Sequence, residues 1–454
     1  MKSLSRRSAI KGSAAAAIAF ALPRFSIGQS GPSANSKLNV AVIGVGGRGR
    51  FLIDAGLSAN ENLVAFCDVD EQNAASTYKD FPNIPRYKDF REMLDKLDKR
   101  IDAVAIATPD HTHFVATYTA MAMGKHVLTE KPLAHNVWQV RTLRKAAKHF
   151  GVVTQMGNQG HAQEGVRLQK EWYEAGIIGE AKEVVVYNNG PKFGPGMHFN
   201  RPSRYPVTPQ AVPYTLDWDL WKGPTDGSAR YNEVFLPKTW RGFYQYGNGQ
   251  LGDWACHTLD GPFYALGLGA PSLAESINPE RVMPGLVPWR SSIRMTFPRK
   301  GKAPLKVTWN ETYEPKVDPS WGMKEWGRGT RSVIVGEKGC IAAQGYSNSP
   351  RIHSEELWKQ VRTSLPPKSI PRIKGNHVAE WTNAIKGNGP MPGSNFDYAS
   401  RLTEAALIGV IAQRTGERVE WDAKNMRITS DDTFNQYVKE PVRRGWEMGD
   451  ELWR

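Results

Sequence analysis

Short apolar runs alternate with amphipathic stretches over the first third of the chain. The run at residues 38–44 ends in a glycine, which is typical of a buried parallel strand. Asn136 is placed to cap a helix that follows it. Strands that alternate with helices indicate βαβ units and a parallel sheet. The remaining strands are predicted at residues 63–68, 102–107, 126–129 and 152–155, and helices at residues 47–57, from residue 71, and at residues 112–123 and 137–150.

The pattern changes after about residue 160. Glycine, proline and aromatic residues dominate residues 188–246, which predicts long loops. Strands are predicted at residues 182–187, 293–297, 305–309, 332–335 and 419–422, and helices at residues 377–386 and 398–413. We expect an α/β protein with a Rossmann domain at residues 37–157. A second α/β domain, with an open, mostly antiparallel sheet for substrate binding and oligomerisation, should occupy residues 158–454.

Residues 1–36 are expected to lie outside the fold. The stretch 5–11 reads SRRSAIK and precedes a mildly apolar segment at residues 12–22. Paired arginines before such a segment are typical of a twin-arginine export signal, and cleavage near Gly28 fits the small residues there. We therefore expect a periplasmic or secreted protein; a basic N-terminus that arose by chance is the alternative.

The charge and composition of the chain limit the kinds of molecule that it is expected to bind. The full chain carries a formal charge of +14, and five of its basic residues precede the expected cut. No Lys/Arg run or nucleic-acid motif is present, so we expect no nucleic-acid partner. No apolar run reaches the roughly 18 residues of a membrane span, so no membrane association is expected after signal removal. Three widely spaced cysteines argue against a disulfide framework.

A glycine-rich turn follows the first predicted strand. The sequence GVGGRG has the G-x-G-x-x-G spacing, opens a helix and begins a βαβ unit, which together predict a dinucleotide site. The first glycine permits a tight turn, the second lets the backbone approach a pyrophosphate, and the third lets helix and strand pack closely. The expected contacts in this turn are Gly44, Gly46, Gly47, Arg48 and Gly49.

Asp68 ends the next predicted strand, 24 positions after Gly44. A carboxylate there accepts hydrogen bonds from the adenosine ribose hydroxyls and repels a 2′-phosphate. The sequence therefore favours NAD over NADP. Arg48 and Arg50 keep NADP possible.

Three further segments complete a family pattern. Residues 107–113 read ATPDHTH, residues 129–133 read TEKPL, and residues 252–257 read GDWACH. With the glycine-rich turn they resemble the Gfo/Idh/MocA family, named after glucose–fructose oxidoreductase and inositol dehydrogenase. The resemblance covers nearly all of the chain after the signal, and the segments near the end resemble the secreted bacterial branch. It implies the two-domain fold above, an NAD(P)-dependent oxidoreductase activity and assembly into dimers or tetramers.

The resemblance also implies roles for single residues. Lys131 matches the lysine that reaches the nicotinamide ribose and the substrate hydroxyl, and Asp253 and His257 match the Asp-x-x-x-His pair of the family. The implied cofactor contacts are Thr108, Pro109, His113, Glu130, Lys131, Asn158 and Gln159.

The same residues suit alcohol oxidation on chemical grounds. Removing a hydride from carbon requires a base for the hydroxyl proton, and histidine titrates near neutral pH. The spacing i, i+4 puts Asp253 and His257 on one helix face, where the carboxylate is expected to orient the imidazole. A metal site at residues 253–260 or 110–113 is the alternative, but neither cluster has a known zinc spacing, so we predict no metal.

Trp240, Arg241 and Tyr244 precede this helix closely. Aromatic rings stack on sugar faces and arginine holds hydroxyls, so we expect these three residues to line the substrate pocket; packing in a core is the alternative. The leading hypothesis is an exported sugar or polyol oxidoreductase that keeps and recycles its NAD. The alternatives are an NAD-assisted glycosidase or lyase acting through a keto-sugar, and a non-catalytic carbohydrate-binding protein.

Overall fold

The computed structural model describes residues 37–194, 197–278 and 282–454. The export signal predicted for residues 1–36 lies outside these residues. Two β-sheets organise the described chain, a parallel one near its beginning and a mixed one after it. The predicted fold class is confirmed.

The first sheet is a six-stranded Rossmann sheet in the order β3-β2-β1-β4-β5-β6, with every pair parallel. Parallel strands need crossovers, which the intervening helices provide. The strands are β1 (Asn39–Ile43), β2 (Asn62–Cys67), β3 (Arg86–Tyr87), β4 (Ala103–Ile106), β5 (His126–Thr129) and β6 (Thr154–Met156). The helices are α1 (Gly47–Leu52), which continues as a π-helical turn (Ile53–Leu57), α2 (Glu71–Asp80), α3 (Phe90–Leu97), α4 (Asp110–Ala122) and α5 (Val137–Phe150).

Local signals in the sequence set several of these boundaries. Asn136 caps α5 by accepting a hydrogen bond from the backbone N–H of Gln139 at 3.0 Å. Gly151 ends the same helix with φ +64°, in the left-handed region that favours glycine. The short elements β3 and α3 were not predicted.

The second sheet has nine strands in the order β13-β12-β11-β7-β10-β9-β8-β14-β15. The pair β7–β10 is parallel and its other pairs are antiparallel. The strands are β7 (Ala181–Asn188), β8 (Leu273–Ser276), β9 (Ser291–Arg299), β10 (Lys302–Glu311), β11 (Thr330–Gly336), β12 (Cys340–Gln344), β13 (Arg351–His353), β14 (Arg418–Asp422) and β15 (Arg427–Ile428). The helices are α6 (Glu164–Glu174), α7 (Trp218–Lys222), α8 (Gly249–Thr258), α9 (Asp260–Leu266), α10 (Glu355–Val361), α11 (His377–Ile385) and α12 (Phe396–Thr415).

One hydrophobic core joins the two sheets. Helix α12 packs against α5 and β6 on one side and against β8 and β9 on the other. The same cluster of buried side chains contains Ile43 and Ile106 of the Rossmann sheet and Ile293 and Phe297 of the second sheet. This shared core fixes the cleft that lies between the two domains.

Residues 213–246, here called the aromatic strap, cross the Rossmann domain. Near the end of β2, the N–H of Asp217 donates to the carbonyl of Val69 at 2.9 Å, and the N–H of Glu71 donates to the carbonyl of Thr215 at 3.0 Å. The strap is held together by its own packed rings, including Trp218 stacked on Trp221 at 4.8 Å. It is mostly loop, as predicted, with α7 as a short helical turn.

The last residues of the chain return to the Rossmann domain. The N–H of Trp138 donates to the carbonyl of Val438 at 2.9 Å. Trp446 packs beside Phe90, with ring centroids 6.2 Å apart, and Trp453 stacks on Trp138 at 6.4 Å. Residues 438–453 therefore cover helices α3 and α5 although they follow the second domain in sequence.

Candidate active site

A cavity of about 520 Å³ lies at the carboxyl ends of the Rossmann strands. This is the edge of an open α/β sheet where ligands bind. Helix α8 and the aromatic strap form its other wall. Of the predicted site residues, the cavity is lined by Gly44, Gly46, Gly47, Arg48, Asp68, Thr108, Pro109, His113, Glu130, Lys131, Gln159, Trp240, Arg241, Asp253 and His257.

The glycine-rich turn leaves no room for side chains at two of its positions. A Cβ on Gly44, which has φ +79°, would lie 2.7 Å from the carbonyl oxygen of Ala107. A Cβ on Gly49 would lie 1.7 Å from the carbonyl oxygen of Gly44. Gly49 does not line the cavity, and its position matches the role expected of the third glycine, close packing of helix on strand.

Asp68 follows β2 and faces the same end of the cavity. Its Oδ2 accepts hydrogen bonds from the N–H groups of Val45 at 2.9 Å and Gly46 at 3.3 Å, and its Oδ1 accepts from Asp70 N–H at 3.0 Å. Burial raises the pKa of Asp68 to about 6, so the carboxyl group is mainly ionised at neutral pH. Oδ1 accepts only one of these bonds and keeps a lone pair for a ribose hydroxyl, and the residues present therefore fit NAD.

Neither Arg48 nor Arg50 is free to bind the 2′-phosphate of NADP. Arg48 donates from Nε to Glu130 Oε1 at 2.7 Å and from a terminal nitrogen to Gln159 Oε1 at 2.8 Å. Arg50 is paired with Asp54 and Asp80 on the surface. With both guanidinium groups engaged elsewhere, the adenosine end presents a carboxylate, which favours NAD over NADP.

His113 contacts the backbone of two loops in the nicotinamide half of the cavity. Its Nδ1 lies 2.7 Å from the carbonyl of Pro132 and its Nε2 lies 2.8 Å from the carbonyl of Thr108. The peptide bond between Lys131 and Pro132 is cis, as the sequence allowed. His113 thus positions both the Thr108–Pro109 turn and the loop that carries Lys131.

Asn158 is placed differently from the prediction. It is fully buried and does not line the cavity. Its Nδ2 donates to Asp260 Oδ2 at 3.2 Å, and its Oδ1 accepts from the hydroxyl of Ser394 at 2.5 Å. The predicted direct cofactor contact is therefore wrong for Asn158, because two side chains of the second domain already use its amide. The neighbouring Gln159 does line the cavity.

Lys131 and Asp253 meet at the centre of the cleft. The ammonium of Lys131 donates to Asp253 Oδ1 at 2.5 Å and to the carbonyl of Asp253 at 3.0 Å. The same Oδ1 accepts from Arg241 Nε at 3.1 Å. Burial opposes ionisation of this carboxyl, but the charges of Lys131 and Arg241 prevail and hold the pKa of Asp253 well below its usual range.

The expected pairing of Asp253 with His257 is wrong. Both residues lie on α8, and the carboxylate is used instead by Lys131 and Arg241. His257 Nδ1 is buried without a hydrogen-bond partner among the described residues. Burial, followed by the charge of Lys131, lowers the pKa of His257 well below its ordinary value. The imidazole is therefore neutral at physiological pH.

Of the three predicted substrate residues, the structure brings two to the cavity. Trp240 and Arg241 line it, with the guanidinium carbon of Arg241 4.2 Å from the Trp240 ring centroid. Tyr244 is a correction, because it is 2% exposed and its hydroxyl donates to Gln413 Oε1 at 3.1 Å in the core. Tyr244 therefore packs in the core, which was the alternative given for these three residues.

The cavity also contains residues that were not predicted, among them Trp254, Tyr346, His198 and Lys238. Trp254 and Tyr346 form an aromatic wall, with ring centroids 5.6 Å apart, and Tyr346 lies 4.7 Å from the His257 ring. Tyr346 has φ +58° at the end of β12, which the sequence did not indicate. His198 and Lys238 lie on the substrate side of the cavity. Trp254 falls inside the motif at residues 252–257 and could have been proposed from that position.

Three further features concern metal ligands, cysteines and apolar helices in the described part of the chain. No group of three or more His, Cys, Asp or Glu side chains there could hold a metal ion. The cysteines Cys67, Cys256 and Cys340 are free and buried. No helix of the described residues is long and apolar enough to cross a membrane.

Comparison with family models assigns both domains. Residues 38–158 match the oxidoreductase family with an NAD-binding Rossmann fold, and residues 164–297 match the C-terminal α/β domain of that family. The chain therefore belongs to the Gfo/Idh/MocA family of oxidoreductases, and its first domain is an NAD-binding Rossmann domain.

Curated relatives match over shorter stretches. The inositol 2-dehydrogenase/D-chiro-inositol 3-dehydrogenase of Lacticaseibacillus casei is 32% identical over 146 residues, which are 31% of this chain and 42% of that protein. The 2,7-anhydro-N-acetylneuraminate hydratase of Escherichia coli is 28% identical over 155 residues, 34% of this chain and 40% of that protein. The chain spans less than half the length of these relatives.

Solved structures match over nearly the whole chain. The WlbA dehydrogenase from Bordetella pertussis, solved with NADH and UDP-GlcNAcA, has a TM-score of 0.56 and 18% identity. The match covers 85% of this chain and 99% of that one. At this identity the likeness concerns the fold. Assembly into dimers or tetramers remains a prediction.

Proposed function

We propose that this protein is an NAD-dependent oxidoreductase that acts on a hydroxyl or carbonyl group of a sugar or polyol. The observation that carries the proposal is the joint placement of Lys131, Asp253 and His257 in the cavity that also contains the glycine-rich turn and Asp68. The named activity of the inositol dehydrogenase relative supports this substrate class.

Lys131, His257 and Asp253 have different roles in the proposed acid–base chemistry. NAD, when bound, takes up or gives up a hydride at its nicotinamide ring. The substrate hydroxyl is expected between Lys131 and His257, where the Lys131 ammonium donates a hydrogen bond to the substrate oxygen. Neutral His257 accepts the hydroxyl proton as the hydride leaves carbon, and returns it in the reverse direction. Asp253 contributes by holding Lys131 in place through their ion pair.

Arg241 extends this arrangement toward the strap. Its guanidinium shares the Asp253 carboxylate with Lys131, which connects the strap directly to the reacting groups. The aromatic wall of Trp254 and Tyr346 offers a face on which an apolar side of a sugar ring can stack. These contacts explain how a polyhydroxylated substrate can be oriented without a metal ion.

We further propose that the cofactor stays bound and is recycled in place. The aromatic strap supports this idea, because it runs along the whole cleft. At its beginning its backbone is bonded to residues 69–71, and the carbonyls of Trp221 and of its last residue, Tyr246, contact the ring nitrogens of buried His111. Release of a dinucleotide would require these contacts to open.

Resident NAD also suits the proposed export through the twin-arginine route, since an enzyme outside the cytoplasm lacks a cytoplasmic NAD pool. Reduced cofactor must then return its hydride within the same site. The hydride can go to a second sugar, or back to the first substrate after elimination or epimerisation next to a transient ketone. The second course is the glycosidase or lyase alternative.

The first experiment is to denature the purified protein and identify the nucleotide released. A stoichiometric amount of NAD supports a resident cofactor. The folded protein is then mixed with single sugars, polyols and glycosides while the near-ultraviolet absorbance of NADH is followed. Reduction by one compound and reoxidation by a second indicates transfer between sugars, whereas cleavage without net reduction indicates the transient-ketone course. Failure to bind NAD, or an unchanged absorbance with the whole panel, would overturn the proposal.

A further inference from the structure

The substrate half of the cleft carries more positive charge than its partners neutralise. Lys131, Lys238 and Arg241 all line the cavity, and His198 lies beside them. Asp253 is the acid that pairs with this group, and its carboxylate is shared between Lys131 and Arg241. One carboxylate therefore faces three cationic side chains.

The other cavity acids are engaged elsewhere. Asp110 is buried and its Oδ2 accepts from the backbone N–H of Asn248 at 3.1 Å. Glu130 is paired with Arg48, and Asp68 and Asp70 lie at the adenosine end, where Asp70 caps α2. None of these acids is bonded to Lys238 or Arg241.

Hydrogen-bond donors remain free in this group. Within the described residues, the ammonium of Lys238 makes no hydrogen bond or ion pair. Arg241 donates from Nε to Asp253 and from one terminal nitrogen to the carbonyl of Lys238 at 3.1 Å, which leaves its other terminal nitrogen without a partner. Both groups are only partly exposed, so water screens them less than it would on an open surface.

The pKa of His198 also responds to the charged side chains in this part of the cavity. Desolvation, followed by the charge of Arg241, lowers the pKa of His198; Asp253 opposes this effect, and Lys238 and Lys131 add to it. Three cationic side chains, two from the strap and one from the Rossmann domain, thus act on one imidazole in the cavity.

We infer that the substrate is an anionic sugar, whose acidic substituent is held by Lys238 and Arg241. Two charged donors that line the cavity from the strap match the oxygens of a carboxylate, sulfate or phosphate group, and such charge-assisted hydrogen bonds are stronger than those to a neutral hydroxyl. This inference rests on the proposed function for the position of the sugar, since the hydroxyl to be oxidised must reach Lys131 and His257 at the same time. Lys238 and Arg241 would then determine specificity.

The test compares matched sugars on the protein with its bound nucleotide. Hexuronates, hexose 6-sulfates and hexose 6-phosphates in the gluco and galacto series are each titrated calorimetrically against their parent hexoses. At least one anionic sugar should bind about tenfold more tightly than its parent at low salt. This advantage should shrink as salt is added. The class of anionic sugar with the largest gain in affinity over its parent hexose identifies the acidic group.

Variants separate a specific contact from general attraction. Lys238→Gln should remove most of the advantage, and Lys238→Arg should retain it, which also shows that the position tolerates substitution. Lys302→Gln changes the net charge equally but lies on β10, paired with Glu180, and should retain the full advantage. Thermal unfolding of each variant confirms that it is folded.

The outcomes distinguish the two proposals. If no anionic sugar binds more tightly than its parent, or if Lys238→Gln and Lys302→Gln reduce the advantage equally, the inference of an anionic substrate is overturned. Neutral sugars that still reduce the bound NAD would leave the proposed oxidoreductase function intact. Conversely, an anionic sugar that binds through Lys238 without any change in nicotinamide absorbance would support the binding site and contradict the redox role.

Discussion

The two ends of the cleft are built in different ways. The adenosine end uses backbone N–H groups, glycines and the carboxylate of Asp68, all within residues 44–73. The nicotinamide and substrate end uses long side chains, among them Lys131, Arg241, His257 and Tyr346, which come from four distant segments. A site made of local backbone depends on shape, whereas a site made of converging side chains depends on the whole fold and on charge balance.

This contrast predicts which changes affect chemistry and which affect binding. Substitutions at the substrate end should change rates while leaving NAD in place. Substitutions at the adenosine end should loosen NAD or destabilise the turn while leaving the acid–base groups intact.

The largest effect is expected for Lys131→Met. Loss of the ammonium removes the donor to the substrate oxygen and leaves buried Asp253 with Arg241 as its remaining cation. Turnover of the sugar that best reduces bound NAD should fall on the order of a thousandfold. Most of the bound NAD should be retained, because the glycine-rich turn and Asp68 are intact. Lys125→Met, at a lysine paired with Asp98 outside the cleft, is the control; full turnover by Lys131→Met would contradict the assigned role.

Gly49→Ala should strongly damage the adenosine end. The new Cβ would lie 1.7 Å from the backbone oxygen of Gly44, so the turn itself must move. We expect a loss of about 3 kcal/mol in the free energy of unfolding, measured by urea titration, together with weaker NAD retention. Gly269→Ala is a matched control, because its Cβ would meet no atom within 4 Å. Equal effects of the two substitutions would show that the close packing is unimportant.

A smaller, pH-dependent effect is expected at Asp68. Its pKa of about 6 means that the carboxylate gains a proton as the pH falls below that value, and a neutral acid is a weaker acceptor for ribose hydroxyls. NAD affinity, measured by fluorescence titration of nucleotide-free protein, should therefore decrease at acidic pH. Asp68→Asn should bind NAD about tenfold more weakly at neutral pH and lose this dependence. If Asp68→Asn kept the original pH dependence of NAD affinity, that dependence would belong to another group.

Tyr244→Phe should have the smallest effect. The hydroxyl bonds to Gln413 in the core, so its removal should cost about 1 kcal/mol of stability, as seen by thermal unfolding. The Michaelis constant for the sugar should stay the same. A clear increase in that constant with unchanged stability would restore the original assignment of Tyr244 to the substrate pocket.

The sequence predicted the adenosine end well because its signals are local. The strand and the glycine spacing each depend on neighbours in the chain. The substrate end was predicted only in part. The spacing of Asp253 and His257 placed both on α8, but it could not show that Lys131 and Arg241 would compete for the carboxylate.

Other errors have the same origin. Asn158 was assigned to the cofactor from its position after the last Rossmann strand, and its amide is instead taken by Asp260 and Ser394, which are remote in sequence. Tyr346 contributes to the aromatic wall from a turn with no motif of its own. Contacts between distant segments, rather than local propensity, decided each of these positions.

The return of residues 438–453 to the Rossmann domain bears on the order in which the protein can mature. While the chain is being synthesised, Phe90 and Trp138 emerge long before Val438, Trp446 and Trp453, which cover them in the finished molecule. The nascent Rossmann domain therefore presents an uncovered apolar face to chaperones until residues 438–453 have been synthesised. Formation of this contact marks the point at which residues 438–453 have been made and packed, and a machinery that recognises exposed apolar surface could distinguish molecules that have formed it from those that have not.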